Sequence, residues 1–304
     1  MSISICTIGA GRSAHLDLLV RGLRASRCQP DELVIGVMQD RLYDLPETDF
    51  PIRQIFVPGE GLQLAKARNT AARAARGDLL VFLDIDCIPS LELVGDYAAA
   101  AHADGILMGE VRYLPQGATD GGIDWDAFDH CSVEHSERAG PPAEPLGPCS
   151  DYRCFWSLNF AISKETWDDI GGFDEGYDGY GGEDTDFGRM AQEAGHRFWW
   201  VRGARAYHQY HPHHMPPVHH LDSVIANAER FRDKWGHHTM EHWLRCFRLM
   251  GLAAPVDGRW KRLRPTREDD LGLTRQQEHQ PYASSATVLE QLEAREVAPE
   301  MALS

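Results

Sequence analysis

The sequence lacks the features that would indicate a membrane or a nucleic acid as its partner. Its apolar runs, such as 79–83, are far shorter than the roughly 20 residues of a transmembrane helix, so we expect no membrane span. Positive charge is scarce, and the formal net charge is −16 at pH 7. Because nucleic-acid-binding proteins carry a basic face for the phosphate backbone, this balance argues against a nucleic-acid partner.

Paired cysteines and a leader sequence are also missing. The seven cysteines are scattered without paired spacing, which favours reduced thiols over a disulfide framework and predicts a cytoplasmic protein. The first residues, MSISICTIGAGR, contain neither a basic leader nor a long apolar stretch. We interpret them as a first strand and not as a signal peptide.

The chain has enough hydrophobic residues for a sizeable core, and its predicted strands and helices alternate regularly. Hydrophobic residues make up 43% of the chain, which argues against disorder. Apolar patterns predict strands at 3–9, 32–38, 52–57, 79–83 and 105–114, and helices at 14–26, 62–76 and 91–102. This rhythm predicts an α/β fold, with a Rossmann-like, mostly parallel sheet flanked by helices on both faces.

The pattern changes after residue 114. Residues 115–148 are rich in Gly, Pro, Asp and His and predict a long functional loop. Further elements are predicted as a strand at 157–163, a helix at 183–194 and an aromatic strand that starts at 196 and leads to His208. The chain beyond residue 220 is predicted to be helical, with a tail of about twenty residues that frays.

Two carboxylates follow the apolar strand in GDLLVFLDIDCIPS. Asp84 and Asp86 lie where that strand ends, and a parallel sheet builds its ligand site at the carboxyl ends of its strands. Two like charges cannot be buried unpaired, so carboxylates at the end of a buried strand need an explanation. A solvated turn is the plain interpretation of any isolated D-x-D.

A second informative stretch is GGFDEGYDGYGGEDTDFGRMAQEAG, residues 171–195. Its glycines and aromatic rings predict a loop that approaches a ligand closely and leads into a helix at Glu183 and Asp184. One of these carboxylates could accept a proton from a substrate hydroxyl. Acids in a first helical turn, Asp186 above all, are otherwise ordinary partners of the helix dipole.

The third stretch, AYHQYHPHHMPPVHH at 206–220, contains six histidines. A solvated loop is the plain interpretation of most of these rings. His208, at the end of the aromatic strand, is the best placed to bind a metal, with His211 as the alternative. An imidazole together with a carboxylate and phosphate oxygens would suit Mn²⁺ and also admit Mg²⁺.

Taken in order, these segments resemble the nucleotide-sugar glycosyltransferases of GT-A fold, within family 2 and its galactosyltransferase-like relatives. The resemblance is carried by ARNTAARAARGDLLVFLDID (67–86), by NFAISKETWDDIGGFDEGYDGYGGEDTDFGRMAQEAG (159–195) and by the late His208. It covers about the first 220 residues. We therefore expect a GT-A catalytic domain at 1–220 and a helical C-terminal extension at 221–304.

The resemblance implies a role for each matching position. It gives Asp86 the metal, together with His208, and Asp184 the role of catalytic base. Tyr180 and Glu183 would bind the acceptor, although the family often has tryptophan where this chain has Tyr180. Donor-binding positions would be Thr7, Arg12, Asp40, Lys66, Arg68 and Asp84, the last on the ribose or a metal-bound water.

The resemblance also implies a reaction. We expect a metal-dependent inverting hexosyltransferase that uses a nucleoside-diphosphate donor, such as a UDP-hexose, and a saccharide or other small-molecule acceptor. No strand-borne nucleophile for a two-step retaining route stands out. Two alternatives stay open: a sugar-phosphate nucleotidyltransferase, for which GAGRSAH is a poor phosphate loop, and a non-catalytic His-rich metal-binding protein. The donor sugar, the linkage and the oligomeric state are not set by the sequence.

Overall fold

The protein is described by a computed structural model that covers residues 1–138, 140–277 and 279–301, without the side chains of 295–301. The chain divides into two compact units. The first unit contains 1–176 and 183–210, and the second contains 177–182 and the chain from 211 onward. The short segment 177–182 of the glycine-rich loop is thus part of the second unit.

The first unit is an α/β assembly. Its strands are β1 (Ile3–Gly9), β2 (Glu32–Val37), β3 (Ile52–Phe56), β4 (Leu79–Leu83), β5 (Cys87–Pro89), β6 (Ile106–Met108), β7 (Val111–Tyr113), β8 (Val133–Glu134), β9 (Leu146–Cys149), β10 (Asn159–Ser163), β11 (Phe198–Val201) and β12 (Ala206–His208). Its helices are α1 (Ser13–Ala25), α2 (Leu64–Ala74), α3 (Leu93–Ala100), α4 (Trp125–Cys131), α5 (Lys164–Ile170) and α6 (Glu183–Glu193).

The main sheet has the strand order β3-β2-β1-β4-β10-β6-β11-β9. The pairs β1–β2, β1–β4, β2–β3 and β6–β11 are parallel, whereas β10 runs antiparallel to both of its neighbours and β9 runs antiparallel to β11. A second sheet has the order β5-β12-β7-β8. The end of β4 and the end of β6 therefore lie at the same edge of the main sheet, on either side of the start of β10.

Strand β4 is apolar throughout because both of its faces are covered. Val81 and Leu83 pack in the core formed with α1 and α3, whereas Leu80 and Phe82 pack in the opposite core with α2, α5 and α6. All residues of β4 are buried. This arrangement is the usual reason for a continuous apolar strand in a parallel sheet.

The structure differs from the sequence prediction in three places of the first unit. The strand predicted at 105–114 is two strands, β6 and β7, which belong to different sheets. The loop predicted at 115–148 contains α4, whose first turn is capped by the Asp124 carboxylate accepting from Ala127 N at 3.0 Å. The aromatic strand is interrupted before His208, which ends β12 and not β11.

The second unit contains more than the predicted helices. It comprises α7 (Leu221–Trp235), α8 (Glu241–Leu249), α9 (Glu268–Thr274) and α10 (Ser285–Met301), and also a hairpin of β13 (Ala253–Val256) and β14 (Arg259–Arg262). The predicted fraying tail is helical as far as Met301, and its last residues lie outside the described ranges. Within those ranges, no helix has the length and apolarity that a membrane crossing demands.

Helix α7 holds the 177–182 segment in place. The Asn227 side-chain amide donates to Asp178 O at 2.9 Å and to Gly181 O at 2.8 Å. The backbone N–H of Tyr180 donates to Ser223 Oγ at 3.2 Å. These bonds give the loop a fixed backbone within the second unit.

Gly36 of β2 provides a test of the close packing between the sheet and α2. A Cβ atom at this position would lie 2.6 Å from the carbonyl oxygen of Ala67, which the α2 backbone cannot easily move. We expect Gly36→Ala to lower the free energy of unfolding by about 1–3 kcal/mol, the usual cost of overpacking. Urea denaturation measures this change.

Gly95→Ala is the matched control for that experiment. Its Cβ would lie 3.5 Å from Cys28 Cβ, an ordinary contact, and Gly95 is inside α3. Alanine favours a helix by about 1 kcal/mol over glycine, so this variant should be no less stable than the parent. Equal stability of Gly36→Ala and the parent would contradict the packing argument.

Candidate active site

The edge of the main sheet at the end of β4 gathers the acidic residues that the sequence singled out. The chain turns directly after β4: Cys87 N donates to Asp84 O at 2.9 Å, and Asp84 N donates to Leu158 O at 3.0 Å. The turn is closed further along by Gln209 N, which donates to Asp86 O at 2.7 Å. This bonding fixes the backbone from which both carboxylates project.

Arg68 of α2 joins this turn to the start of α6. Its guanidinium donates to Asp84 Oδ1 and to Glu183 Oε1, each at 3.2 Å, and its side chain is only 5% exposed. Burial opposes the positive charge, but Asp84, Asp184 and Glu183 outweigh it and raise the pKa of Arg68. Two carboxylates distant in sequence thus share one buried cation.

The pKa values of both partners are raised. Burial is the first cause for Glu183, followed by repulsion from Asp184, and together they raise its pKa to about 8 despite Arg68. Desolvation also raises the pKa of Asp84, opposed by Arg68 and assisted by the charges of Asp86 and Asp184. The site is therefore rich in negative charge that one guanidinium does not fully compensate.

Asp184 is held by a residue that the sequence analysis did not single out. Ser157, just before β10, donates through its backbone N–H to Asp184 Oδ2 at 3.2 Å and through its hydroxyl to Asp184 Oδ1 at 3.1 Å. Both bonds orient the carboxylate at the N-terminus of α6. Asp186, which we interpreted as an ordinary partner of the helix dipole, lies in the first turn of α6 and is fully buried.

Asp86 and His208 lie beside each other. His208 Nε2 is 3.5 Å from Asp86 Oδ1, and Arg12 Nη1 donates to Asp86 Oδ2. Asp86 is 5% exposed, whereas the Arg12 side chain is 41% exposed. A carboxylate oxygen and an imidazole nitrogen at this distance are a donor set that fits Mn²⁺ or Mg²⁺.

The remaining predicted residues lie at different positions. Thr7 is buried in β1, and its hydroxyl has no hydrogen-bond partner among the described residues. Asp40 is exposed after β2, and Lys66 donates from the surface of α2 to Pro58 O at 2.6 Å. Tyr180 and His211 belong to the second unit, where the Tyr180 ring stacks on His220 at 4.9 Å between ring centroids.

Tyr43 is a further residue, close to Gly9 of β1, that no sequence signal indicated. It is 7% exposed, and its hydroxyl finds no hydrogen-bond partner within the described part of the chain. A Cβ on Gly9 would lie 2.6 Å from that hydroxyl, so glycine at the end of β1 makes room for the ring. Two buried hydroxyls for which the described residues offer no hydrogen-bond partner are therefore associated with β1, Thr7 within the strand and Tyr43 beside Gly9.

Comparisons with known proteins concern the fold and the family resemblance. Residues 40–126 match the family model described as glycosyl transferase family 2, and residues 141–214 match the one described as the N-terminal domain of galactosyltransferase. The solved structure of GalNAc-T7 with UDP, GalNAc and Mn²⁺ aligns with a TM-score of 0.50 at 16% identity, over 69% of this chain and 43% of that one. That likeness concerns the fold and confirms the predicted GT-A class.

Curated relatives match as well. Chondroitin synthase of Pasteurella multocida (strain Pm70) is 28% identical over 55% of this chain and 20% of its own length. Validoxylamine A glucosyltransferase of Streptomyces hygroscopicus subsp. limoneus is 23% identical over 72% of this chain and 54% of its own length. The chain thus spans between about a fifth and about half of these two relatives.

The resemblance inferred from the sequence is therefore confirmed. The chain has a GT-A fold. In sequence it is similar to family 2 over one segment and to galactosyltransferases over the next. The boundary predicted after residue 220 stays a prediction, and so do the roles assigned to individual residues.

The raised pKa of Glu183 predicts a pH-dependent stability. The unfolded chain releases this proton near its ordinary pKa of about 4.5, whereas the folded chain keeps it until about pH 8. The contribution of Glu183 to the free energy of unfolding should therefore fall as the pH rises from 5 to 8. We expect Glu183→Gln, which has no proton to lose, to weaken this fall by about 1 kcal/mol or more, since one pKa unit corresponds to about 1.4 kcal/mol.

Urea denaturation of both proteins at pH 5 and pH 8 measures the difference. Glu165→Gln, in the first turn of the nearby α5, is the control and should follow the parent at both pH values. Parallel pH profiles for the parent and Glu183→Gln would contradict a raised pKa at this carboxylate.

Proposed function

We propose that the chain is a metal-dependent, inverting hexosyltransferase that transfers a sugar from a UDP donor to a hydroxyl of a saccharide or other small acceptor. The observation that carries this proposal is the convergence of Asp84 and Glu183 on the buried Arg68. It brings the end of β4 and the start of α6 together. Asp84, proposed to bind the donor, and Glu183, proposed to bind the acceptor, would then belong to one site.

The metal would be held by Asp86 and His208, with His211 as the alternative ligand. When bound, a divalent ion would supply positive charge to the leaving diphosphate. The GalNAc-T7 structure contains Mn²⁺ and UDP, which supports this choice of ion and carrier. Arg12, which already binds Asp86, is placed to balance the same carboxylate.

The donor would occupy the carboxyl ends of β1, β2 and β4. Thr7 and Asp40 would be on the side of the base and ribose, and the buried Thr7 hydroxyl offers a hydrogen bond that the described protein leaves unused. Asp84 would bind the ribose or a metal-bound water. Lys66 is the weakest of these assignments, because its ammonium already binds Pro58 O on the helix surface.

Asp184 would act as the general base. The two hydrogen bonds from Ser157 leave lone pairs on both of its oxygens, so the carboxylate can still accept the proton of an acceptor hydroxyl. Glu183 and Tyr180 would bind the acceptor. The acceptor hydroxyl would lose its proton to Asp184 as it attacks the anomeric carbon. Because the diphosphate leaves from the opposite face, the anomeric centre would be inverted.

Asp86 tests the metal and the donor together. We expect Asp86→Ala to lose metal-dependent UDP binding and sugar transfer, because one ligand of the ion is removed. Isothermal titration with UDP and with GDP, each with and without Mn²⁺, measures this. Asp168→Asn on the exposed surface of α5 is the control. UDP and Mn²⁺ binding by Asp86→Ala at the parental level would contradict the metal site, and equal affinity for GDP would contradict UDP as the carrier.

Asp184 tests the chemical step. Asp184→Asn keeps the size of the side chain but cannot accept the proton, so we expect single-turnover transfer to slow by about a hundredfold to ten-thousandfold. The affinity for UDP and Mn²⁺ should change little. Single-turnover rates are compared with those of Asp168→Asn, which should match the parent. A parental rate for Asp184→Asn would exclude it as the base.

A further inference from the structure

Arg138, between β8 and β9, is a half-buried cation that the proposed mechanism does not use. Its guanidinium carbon lies 5.4 Å from the ring centroid of Trp156 and 5.1 Å from that of Trp200. One guanidinium nitrogen, Nη2, donates to Gly109 O at 3.1 Å. The other, Nη1, is buried and has no hydrogen-bond partner among the described residues.

Arg138 also has no carboxylate partner within the described ranges. Neighbouring arginines do: Arg112 pairs with Glu134 at 3.2 Å, and Arg205 pairs with Glu110 at 3.0 Å. Both of these acids line the same cavity as Arg138, yet each is engaged by another arginine. Among the described residues, Arg138 is thus a cation without an ion pair, whereas two neighbouring arginines are paired.

A guanidinium nitrogen that is buried without a partner destabilises the protein. Removal of a charged group from water is unfavourable unless a counter-charge and hydrogen bonds compensate for it. Burial lowers the pKa of Arg138, but arginine stays protonated at any physiological pH. The two indole faces compensate only in part, because a cation–π contact is weaker than an ion pair with hydrogen bonds.

The position of Arg138 connects it to the candidate active site. Gly109 follows the end of β6, at the same edge of the sheet as Asp84. Trp156 immediately precedes Ser157, which orients Asp184.

A row of rings leads from Arg138 to the proposed metal ligand. The centroid distances are 5.0 Å from Trp156 to His135, 5.5 Å from His135 to Tyr113, and 4.9 Å from Tyr113 to His208. Arg138 itself is partly exposed and lines a cavity with His135 and Trp200. Three aromatic side chains, Trp156, His135 and Tyr113, thus connect Arg138 to His208.

We propose that Arg138 is the cation of an oxyanion subsite, which binds a phosphate or carboxylate group of a substrate. This inference rests on the proposed function, since the oxyanion would come either from the diphosphate of the donor or from an acidic sugar of the acceptor. The planar guanidinium, held between two indole rings, presents Nη1 for a charge-assisted hydrogen bond. The oxyanion would supply the counter-charge that the described protein does not.

Arg138→Gln tests the subsite. Titration calorimetry measures the affinities of the parent and the variant for UDP and uridine, which differ in the diphosphate of the donor. It also measures their affinities for glucuronate and glucose, which differ in the carboxylate of an acidic acceptor sugar. If the oxyanion belongs to the donor, the affinity for UDP should fall about tenfold or more while that for uridine is unchanged. If it belongs to the acceptor, the affinity for glucuronate should fall instead, and that for glucose should not.

Arg112→Gln is the matched control. Arg112 binds Ser132 O and Glu134, which shortly precede Arg138 in the chain. Its substitution removes the same charge as Arg138→Gln, but from an arginine that has a carboxylate partner. Unchanged affinities of Arg138→Gln for UDP and for glucuronate would overturn the proposal. Equal losses in Arg112→Gln and Arg138→Gln would do so too, because they would indicate a structural role only.

Two further measurements keep the test decisive. If Arg138→Gln does not fold by circular dichroism, Arg138→Lys replaces it, since lysine keeps the charge but loses the planar fork, and a loss of about threefold or more is then expected. If the parent binds neither UDP nor uridine in the presence of Mn²⁺, the proposed function fails. Binding of inorganic pyrophosphate and glucuronate to the parent and to Arg138→Gln then tests the oxyanion subsite by itself.

Discussion

The contacts of the buried Arg68 guanidinium with Asp84 and Glu183 are the interaction on which the site depends. Without the guanidinium, the pKa values of both acids would rise further, because a buried charge without a partner is strongly destabilising. Arg68 reaches both because the alanine-rich face of α2 packs tightly on the sheet. The next residue, Asn69, exchanges hydrogen bonds with Phe173 at 2.8 and 2.9 Å and so fixes the segment before the glycine-rich loop.

This arrangement leaves the site short of positive charge. Both partners of Arg68 have raised pKa values even though the guanidinium is bound to them. Asp86 adds another carboxylate, balanced by the half-exposed Arg12. Several acids that repel one another are stabilised when a cation binds among them, so the excess of acid favours a metal ion. The diphosphate is itself negatively charged and would bind together with that ion. The acids that make the site short of positive charge would thus also hold the metal ion of the proposed reaction.

Local patterns predicted those parts of the fold and site that local forces determine. The apolar β4, the acids after it and the start of α6 at Glu183 follow from strand burial and helix propensity. The break at Gly109 does not, because it is set by Asn159, whose side-chain amide donates to Glu110 O and Ala204 O at 2.8 and 2.7 Å. Ser157 was likewise missed, since its partner Asp184 is distant in sequence. The cap at Asp124 was a local signal for α4 that a loop-like composition concealed.

Different parts of the chain fix the residue proposed as the base and the residue proposed to contact the acceptor. Asp184 is oriented by Ser157 inside the first unit, whereas Tyr180 is fixed by Ser223 and Asn227 inside the second. The matched galactosyltransferase segment ends at 214, before both of the residues that fix Tyr180. The base would therefore be set by a part of the chain that resembles known families, and the acceptor contact by helix α7, which lies outside both family matches. Under the proposed function, acceptor choice can then differ from that of the relatives while the chemistry is retained.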